Sequence, residues 1–290
     1  MTYKFFLKEI PEPFTVWRWI NDHSTIQEAI KDVSSNIDSS KLLTLNHNFN
    51  IPKIIEACNE AIDKFGYKGW QTSSRREPSY GGLSLVCNPD YKENIDANAH
   101  TLGTVKNQPT EFFYSQVGNF VSLRNTYFDS YAFRHHSPCV KETGLYEFIK
   151  GFKRSPVRSR MATINSEYVN DQDRSAFGWH RDETVFENLR INIPITTDET
   201  FMFQLEKSAP EHLSIGNAYS WDTNIAHRVF PSTQESKSRT HLVLGFSPWF
   251  DYIEEEDAYV SNEFYGKMHP MDMLLGGHVH SEINGLTLRS

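Results

Sequence analysis

The chain has 290 residues, 38% hydrophobic and 23% charged, which predicts a folded globule of one large domain or a core with an extension. Its net charge of −8 argues against general nucleic-acid binding, which selects a basic face. Three scattered cysteines (Cys58, Cys87 and Cys139) argue against a disulfide framework and form no zinc pattern, and no 18-residue apolar run offers a membrane span. The opening Met1-Thr2-Tyr3-Lys4-Phe5-Phe6-Leu7-Lys8 is too short and polar for a signal peptide, so a reducing cytoplasm is the expected location.

In chain order, residues 24–34 read as an amphipathic helix with Ile26, Ala29, Ile30 and Val33 on one side. Residues 51–65 give a stronger helix: Ile51, Ile54, Ile55, Cys58, Ile62 and Phe65 are spaced for one buried face, Pro52 suits the first turn and Gly66 the stop. Both should pack outside a sheet. Gly81-Gly82-Leu83-Ser84-Leu85-Val86 reads as one strand after a glycine break, and residues 88–109 as a polar loop long enough for a lid. Residues 125–131 mix aromatic and polar groups, which makes Tyr127 a candidate wall of a substrate pocket. His135 and His136 are adjacent, and adjacent strand residues face opposite ways, so the pair does not suit one metal. Residues 145–152 read as a short helix, and the basic residues of 150–154 and 158–160 as its solvated end. A dense run of strands begins at Arg160.

The most informative stretch follows. Trp179-His180-Arg181-Asp182 contains a His-x-Asp, whose two side chains share one side of an extended strand end. His227 comes 47 residues later, a separation that allows several strands to cross a small barrel and return. Two imidazoles and one carboxylate suit iron(II) as a facial triad and leave three coordination positions open, two for a chelating 2-oxoacid and one for dioxygen. Arg239 lies 12 residues after His227 and opens the apolar strand Ser238-Arg239-Thr240-His241-Leu242-Val243-Leu244-Gly245-Phe246. Alternation puts Thr240, Leu242, Leu244 and Phe246 on one face and Arg239, His241 and Val243 on the other, so Arg239 is expected to point inward. A guanidinium can grip a carboxylate through two parallel hydrogen bonds. In Leu189-Arg190-Ile191-Asn192-Ile193-Pro194-Ile195 the same alternation turns Arg190 and Asn192 away from the apolar face. A buried arginine needs an anionic partner, which makes Arg190 a second candidate for the 2-oxoacid, with an internal ion pair as the open alternative. His241 is read as structural or supporting. Trp179 and Trp221 are candidates to shield the site, with core packing as the alternative.

Residues 196–200 turn into Phe201-Met202-Phe203-Gln204-Leu205, and Gly216-Asn217 precedes the strand towards Trp221. After Pro248 the chain turns acidic at Glu254-Glu255-Glu256-Asp257, a solvated face. His278 and His280 read as surface groups, and the last 40 residues as an appendage.

Over residues 158–248 the chain resembles the iron(II)/2-oxoglutarate dioxygenases, with the closer likeness to the branch of aspartyl/asparaginyl β-hydroxylases and bacterial proline hydroxylases. The motifs that carry it are Trp179-His180-Arg181-Asp182, Leu189-Arg190-Ile191-Asn192, Trp221-Asp222-Thr223-Asn224-Ile225-Ala226-His227-Arg228-Val229 and Arg239-Thr240-His241-Leu242. The resemblance implies that His180, Asp182 and His227 bind Fe(II), that Arg239 pairs with the distal carboxylate of 2-oxoglutarate, and that Arg190 sits beside that co-substrate. Aspartyl hydroxylases lack the carboxylate ligand and halogenases replace it with a small residue, so Asp182 favours the proline-hydroxylase style of site. The implied fold is mainly β with flanking helices around a double-stranded β-helix, a jelly-roll or cupin-like core.

The resulting expectation is a single oxygenase domain: a helical and loop part over residues 1–157, a metal-binding core over 158–248 and an extension over 249–290. It uses Fe(II), 2-oxoglutarate and O2 to hydroxylate an unactivated C–H bond of a free amino acid or amino-acid derivative, giving succinate and CO2. Tyr127, Asn192, Trp179 and Trp221 are the candidate substrate contacts. The alternatives are a peptide or protein residue as substrate, a non-catalytic cupin-like metal binder, and a nucleobase oxygenase, which the charge disfavours. No membrane partner is expected.

Overall fold

The structure, a computed structural model, describes residues 41–45, 47–69, 80–87, 135–152, 154–155, 159–165, 178–182, 189–223, 225–233, 238–253, 255 and 258–261. The expected helix at 24–34, the loop at 88–109, Tyr127, His278 and His280 lie outside them.

Helix α1 (Ile51–Phe65) forms where its apolar spacing requires. Asn50 caps it, its side chain accepting from the Lys53 N–H at 3.4 Å, and proline occupies the first turn. Gly66 ends it at φ 68°, its N–H donating to the Ile62 carbonyl at 2.8 Å. Ile51, Ile54, Ala57, Cys58 and Ala61 are buried, with Ile62 and Phe65 partly so. Two short helices follow, α2 (Pro138–Lys141) and α3 (Leu145–Ile149). The second is shorter than the expected 145–152, because Gly151 and Phe152 donate three residues back, to Phe148 and Ile149, and tighten the chain out of the α-helix.

Every strand pairing among the described residues is antiparallel. The main sheet is organised by the long strand β12 (Ser238–Ile253). Its first half lies between β7 (Arg160–Asn165) and β8 (Leu189–Thr196), and its second half pairs with β6 (Arg154–Ser155) and β13 (Ala258–Ser261). Pairing with these new partners carries the strand past Pro248 to Ile253. Outward from β8 come β10 (Ala218–Ser220) and β1 (Leu43–Leu45); outward from β7 come β3 (Tyr80–Ser84) and β2 (Lys68–Gly69). The single strand expected over 81–86 is two. At Leu85 the chain changes partners, its N–H bonding the Ser159 carbonyl and its carbonyl accepting from Ser137, so that β4 (Val86–Cys87) pairs with β5 (His135–His136) instead. β9 (Phe201–Leu205) and β11 (His227–Pro231) form a separate two-stranded sheet, a wide hairpin whose connection carries β10 of the main sheet.

Period-2 alternation gives the main sheet two different faces. Met161, Leu189, Ile191, Ile193, Ile195, Leu242, Leu244 and Phe246 pack with the helices in the largest core. The opposite face carries Arg160, Arg190, Asn192, Arg239 and His241, all at most 8% exposed. Register aligns them: Val243 faces Arg160 on one side and Asn192 on the other, Gly245 faces Arg190, and Arg239 faces Ile164. A smaller apolar cluster on this polar side joins Tyr219 and Trp221 to Phe203, Leu205 and Leu213, which brings the β9–β11 hairpin against it.

Candidate metal centre

The hairpin delivers His227. This first residue of β11 forms an antiparallel bridge with His180, whose N–H donates to the His227 carbonyl at 3.0 Å and whose carbonyl accepts from the His227 N–H at 2.9 Å. Asp182 is fixed two residues on, its N–H donating to the Thr223 carbonyl at 2.8 Å. The expected strand end around the His-x-Asp is here a single bridge plus this bond. Strands β8, β9 and β10 fill the interval between the two histidines.

His180, Asp182 and His227 bring one potential ligand atom each within 4.8 Å of the others. The imidazole rings lie 4.4 Å apart between centroids, and His227 Nε2 is 3.8 Å from Asp182 Oδ2. Both imidazoles use the same local device. His180 Nδ1 lies 3.0 Å from the Gly178 carbonyl and His227 Nδ1 2.8 Å from the Ile225 carbonyl. A carbonyl only accepts, so Nδ1 carries a proton in each ring, and the neutral ring then keeps its lone pair on Nε2. That is the support that metal-bound histidines use.

Electrostatics keep His227 and Asp182 in ligating form. Burial lowers His227 to about 4, and His180 adds to the lowering, so His227 is neutral at pH 7. Burial alone would raise the Asp182 carboxyl. The guanidinium groups of Arg190 and Arg160, with smaller help from His180 and His227, reverse that and hold it well below the usual carboxylate range. Two imidazoles and an ionised carboxylate are a donor set that suits a hard-to-borderline divalent cation such as iron(II).

Arg190 is ion-paired with Asp182. A carboxylate has about four lone-pair sites, enough for this guanidinium and a cation together. Arg160 corrects the sequence reading: it is not at a solvated helix end but 6% exposed on the polar face of β7, close enough to shift Asp182. Its strand pattern Arg160-Met161-Ala162-Thr163-Ile164 held the signal, since Met161 faces the core and Arg160 must then face the other way. Arg239 points to the same side. Its Nε and Nη2 lie 2.9 and 2.7 Å from the two ring nitrogens of His241. Burial, then Arg239 and His212, hold His241 well below its ordinary titration range. A neutral imidazole accepts on one nitrogen only, so this edge satisfies one arm of the guanidinium fork where a carboxylate would satisfy both.

Asn192 and Trp221 are 4% and 5% exposed, and neither Asn192 Nδ2 nor Trp221 Nε1 has a hydrogen-bond acceptor among the described residues. The Trp221 ring stands edge-on to His227 at 5.7 Å and against Phe203 at 4.4 Å. Trp179 departs from the expected shielding role: it is 47% exposed and its ring covers Arg228 at 4.6 Å.

No protein-family model and no curated protein matches the chain. Among solved structures it is similar to NgTET1 in complex with 5mC DNA, at 13% identity and a TM-score of 0.30, over 68% of this chain and 66% of that one. The match therefore spans slightly less than two thirds of that chain's length.

Proposed function

We propose that the chain is an iron(II)- and 2-oxoglutarate-dependent dioxygenase with a double-stranded β-helix core, acting on an unactivated C–H bond of a free amino acid or amino-acid derivative. The observation that carries this reading is the convergence of two imidazoles, each with Nε2 available, on one carboxylate. His180, Asp182 and His227 would hold the metal and leave the opposite positions to ligands. When bound, the metal supplies the oxidation: 2-oxoglutarate and O2 become succinate and CO2, one oxygen atom entering succinate and the other the C–H bond.

The rest falls to the protein. Arg239, buried on the polar face with its guanidinium against His241, would turn that fork to a carboxylate of the co-substrate. Arg190 steadies Asp182 and adds positive charge beside it. The unsatisfied donors of Asn192 and Trp221 favour an oxygen-rich small acid, because a buried N–H left without an acceptor costs roughly 1–3 kcal/mol. Phe203 and Trp221 line His227 and keep water from it. Free amino acids fit this setting as compact carboxylates.

Succinate formation from 2-oxoglutarate under air tests the assignment. Wild-type protein with Fe(II) should release succinate, and Asp182→Ala should release none. Tight iron binding without succinate would leave a metal-binding protein of the cupin type. An anaerobic screen of amino acids and short peptides against the iron–2-oxoglutarate absorption band then selects the substrate.

A further inference from the structure

The segment carrying the His-x-Asp alternates. His180 and Asp182 supply potential ligand atoms, while Trp179 and Arg181 are exposed on its other side. What these outward residues touch decides how firmly the inward ones are held. Arg181 meets Glu206 at 3.3 Å, but both side chains are about half exposed (56% and 46%), so water screens the pair. Trp179 is different. The Arg228 guanidinium lies between two rings, 4.6 Å from the Trp179 centroid and 4.4 Å from that of Phe230. Its Nε and Nη2 also donate to Gln204 Oε1 at 3.0 and 2.7 Å, and Gln204 Nε2 donates to the Ser208 carbonyl at 2.8 Å. Gln204 faces Arg228 across the β9–β11 hairpin, so the guanidinium is anchored to the element that carries His227.

We propose that Arg228 is a positioning residue of the metal centre: it clamps Trp179 to the hairpin and thereby holds His180 in register with His227. The inference rests on the triad holding a divalent cation and not on the oxygenase chemistry. The geometry favours it because, among the described residues, the segment meets the β9–β11 pair through one backbone bridge and the screened Arg181–Glu206 pair besides this clamp, and the exposed His180 has to meet the buried His227 within a few ångströms. It also explains the residue type. A planar guanidinium can stack between two rings while forking onto an amide oxygen, and an ammonium group cannot.

Co(II) is a suitable probe, since its visible absorption reports coordination geometry. Wild type, Arg228→Ala, Arg228→Lys, Trp179→Ala, Trp179→Phe and Arg181→Ala would each be titrated, with melting curves recorded without metal. Loss of supporting partners around metal ligands typically weakens affinity about 10- to 100-fold. A loss in that range is expected for Arg228→Ala, Arg228→Lys and Trp179→Ala, with an altered Co(II) spectrum. Trp179→Phe should keep most of the affinity, Arg181→Ala should match wild type, and the Arg228→Ala/Trp179→Ala double variant should bind no worse than the weaker single. Wild-type affinity in Trp179→Ala, whose exposed ring can be removed without opening the core, would overturn the clamp even if Arg228→Ala failed to fold. So would additive losses in the double variant. A wild-type protein that gave no Co(II) spectrum would overturn the metal centre itself, a distinct outcome from failure of the clamp alone.

Discussion

At the residue scale the centre depends on protonation. The two histidines are alike in their carbonyl support but differ in burial, and burial pushes His227 down to about 4. An imidazole whose folded value lies below its unfolded value of about 6.5 binds fewer protons in the folded state between those values. Stability from His227 is therefore complete above pH 6.5 and is lost as pH falls towards 4. The lowered Asp182 acts in the same direction at still lower pH. Metal-free protein should be about 2 kcal/mol less stable at pH 5 than at pH 7 from His227 alone, measurable by urea unfolding. His227→Gln should reduce that slope by this share, the lowered His241 and His47 supplying a remainder, and an unchanged slope would place the titrating group elsewhere. Spacing and alternation single out His180, Asp182 and His227, which the fold brings together, and Arg190 and Arg239, which it buries on one face of the sheet; that they serve a metal and its co-substrate is the proposal. Arg160 was missed because it follows a basic stretch, and local charge looked like solvation. What betrays it is the period-2 pattern of the strand it opens.

At the scale of elements, the sheet separates folding from chemistry. Leu189, Ile191, Ile193, Leu242 and Leu244 stabilise one face against α1, while the alternate residues of the same strands carry the arginines, Asn192 and His241. Ile54 of α1 is fully buried in that first core. Ile54→Ala should lower the unfolding free energy by about 2–5 kcal/mol, while Co(II) affinity in the folded protein stays at the wild-type value, because the cavity opens on the far side of the sheet. A matching loss of affinity would show that the two faces are coupled. The helix 51–65 and the cores of β8 and β12 were legible because each pattern is local. The partner change at Leu85 and the extension of β12 past Pro248 were not. Both depend on strands distant in sequence, Ser155, Ser159 and Ser261 among their contacts, and a hydrophobic pattern does not encode which distant edge a strand will meet.

On the scale of the whole molecule, the described residues form a helix-backed antiparallel sheet that turns its polar face, with three buried arginines, towards a small hairpin, and the candidate metal ligands come from that hairpin and a short bridged segment. Such a division lets a stable apolar core support charged groups that would be costly in any core of their own. The account stands on one cation being shared by three side chains. An anomalous difference map from crystals grown anaerobically with Mn(II) tests this directly, using the metal's own scattering. The expected result is one strong peak bonded to Nε2 of His180, Nε2 of His227 and a carboxylate oxygen of Asp182. A strong peak held by other residues, or none between these three in crystals that contain the metal, would contradict it.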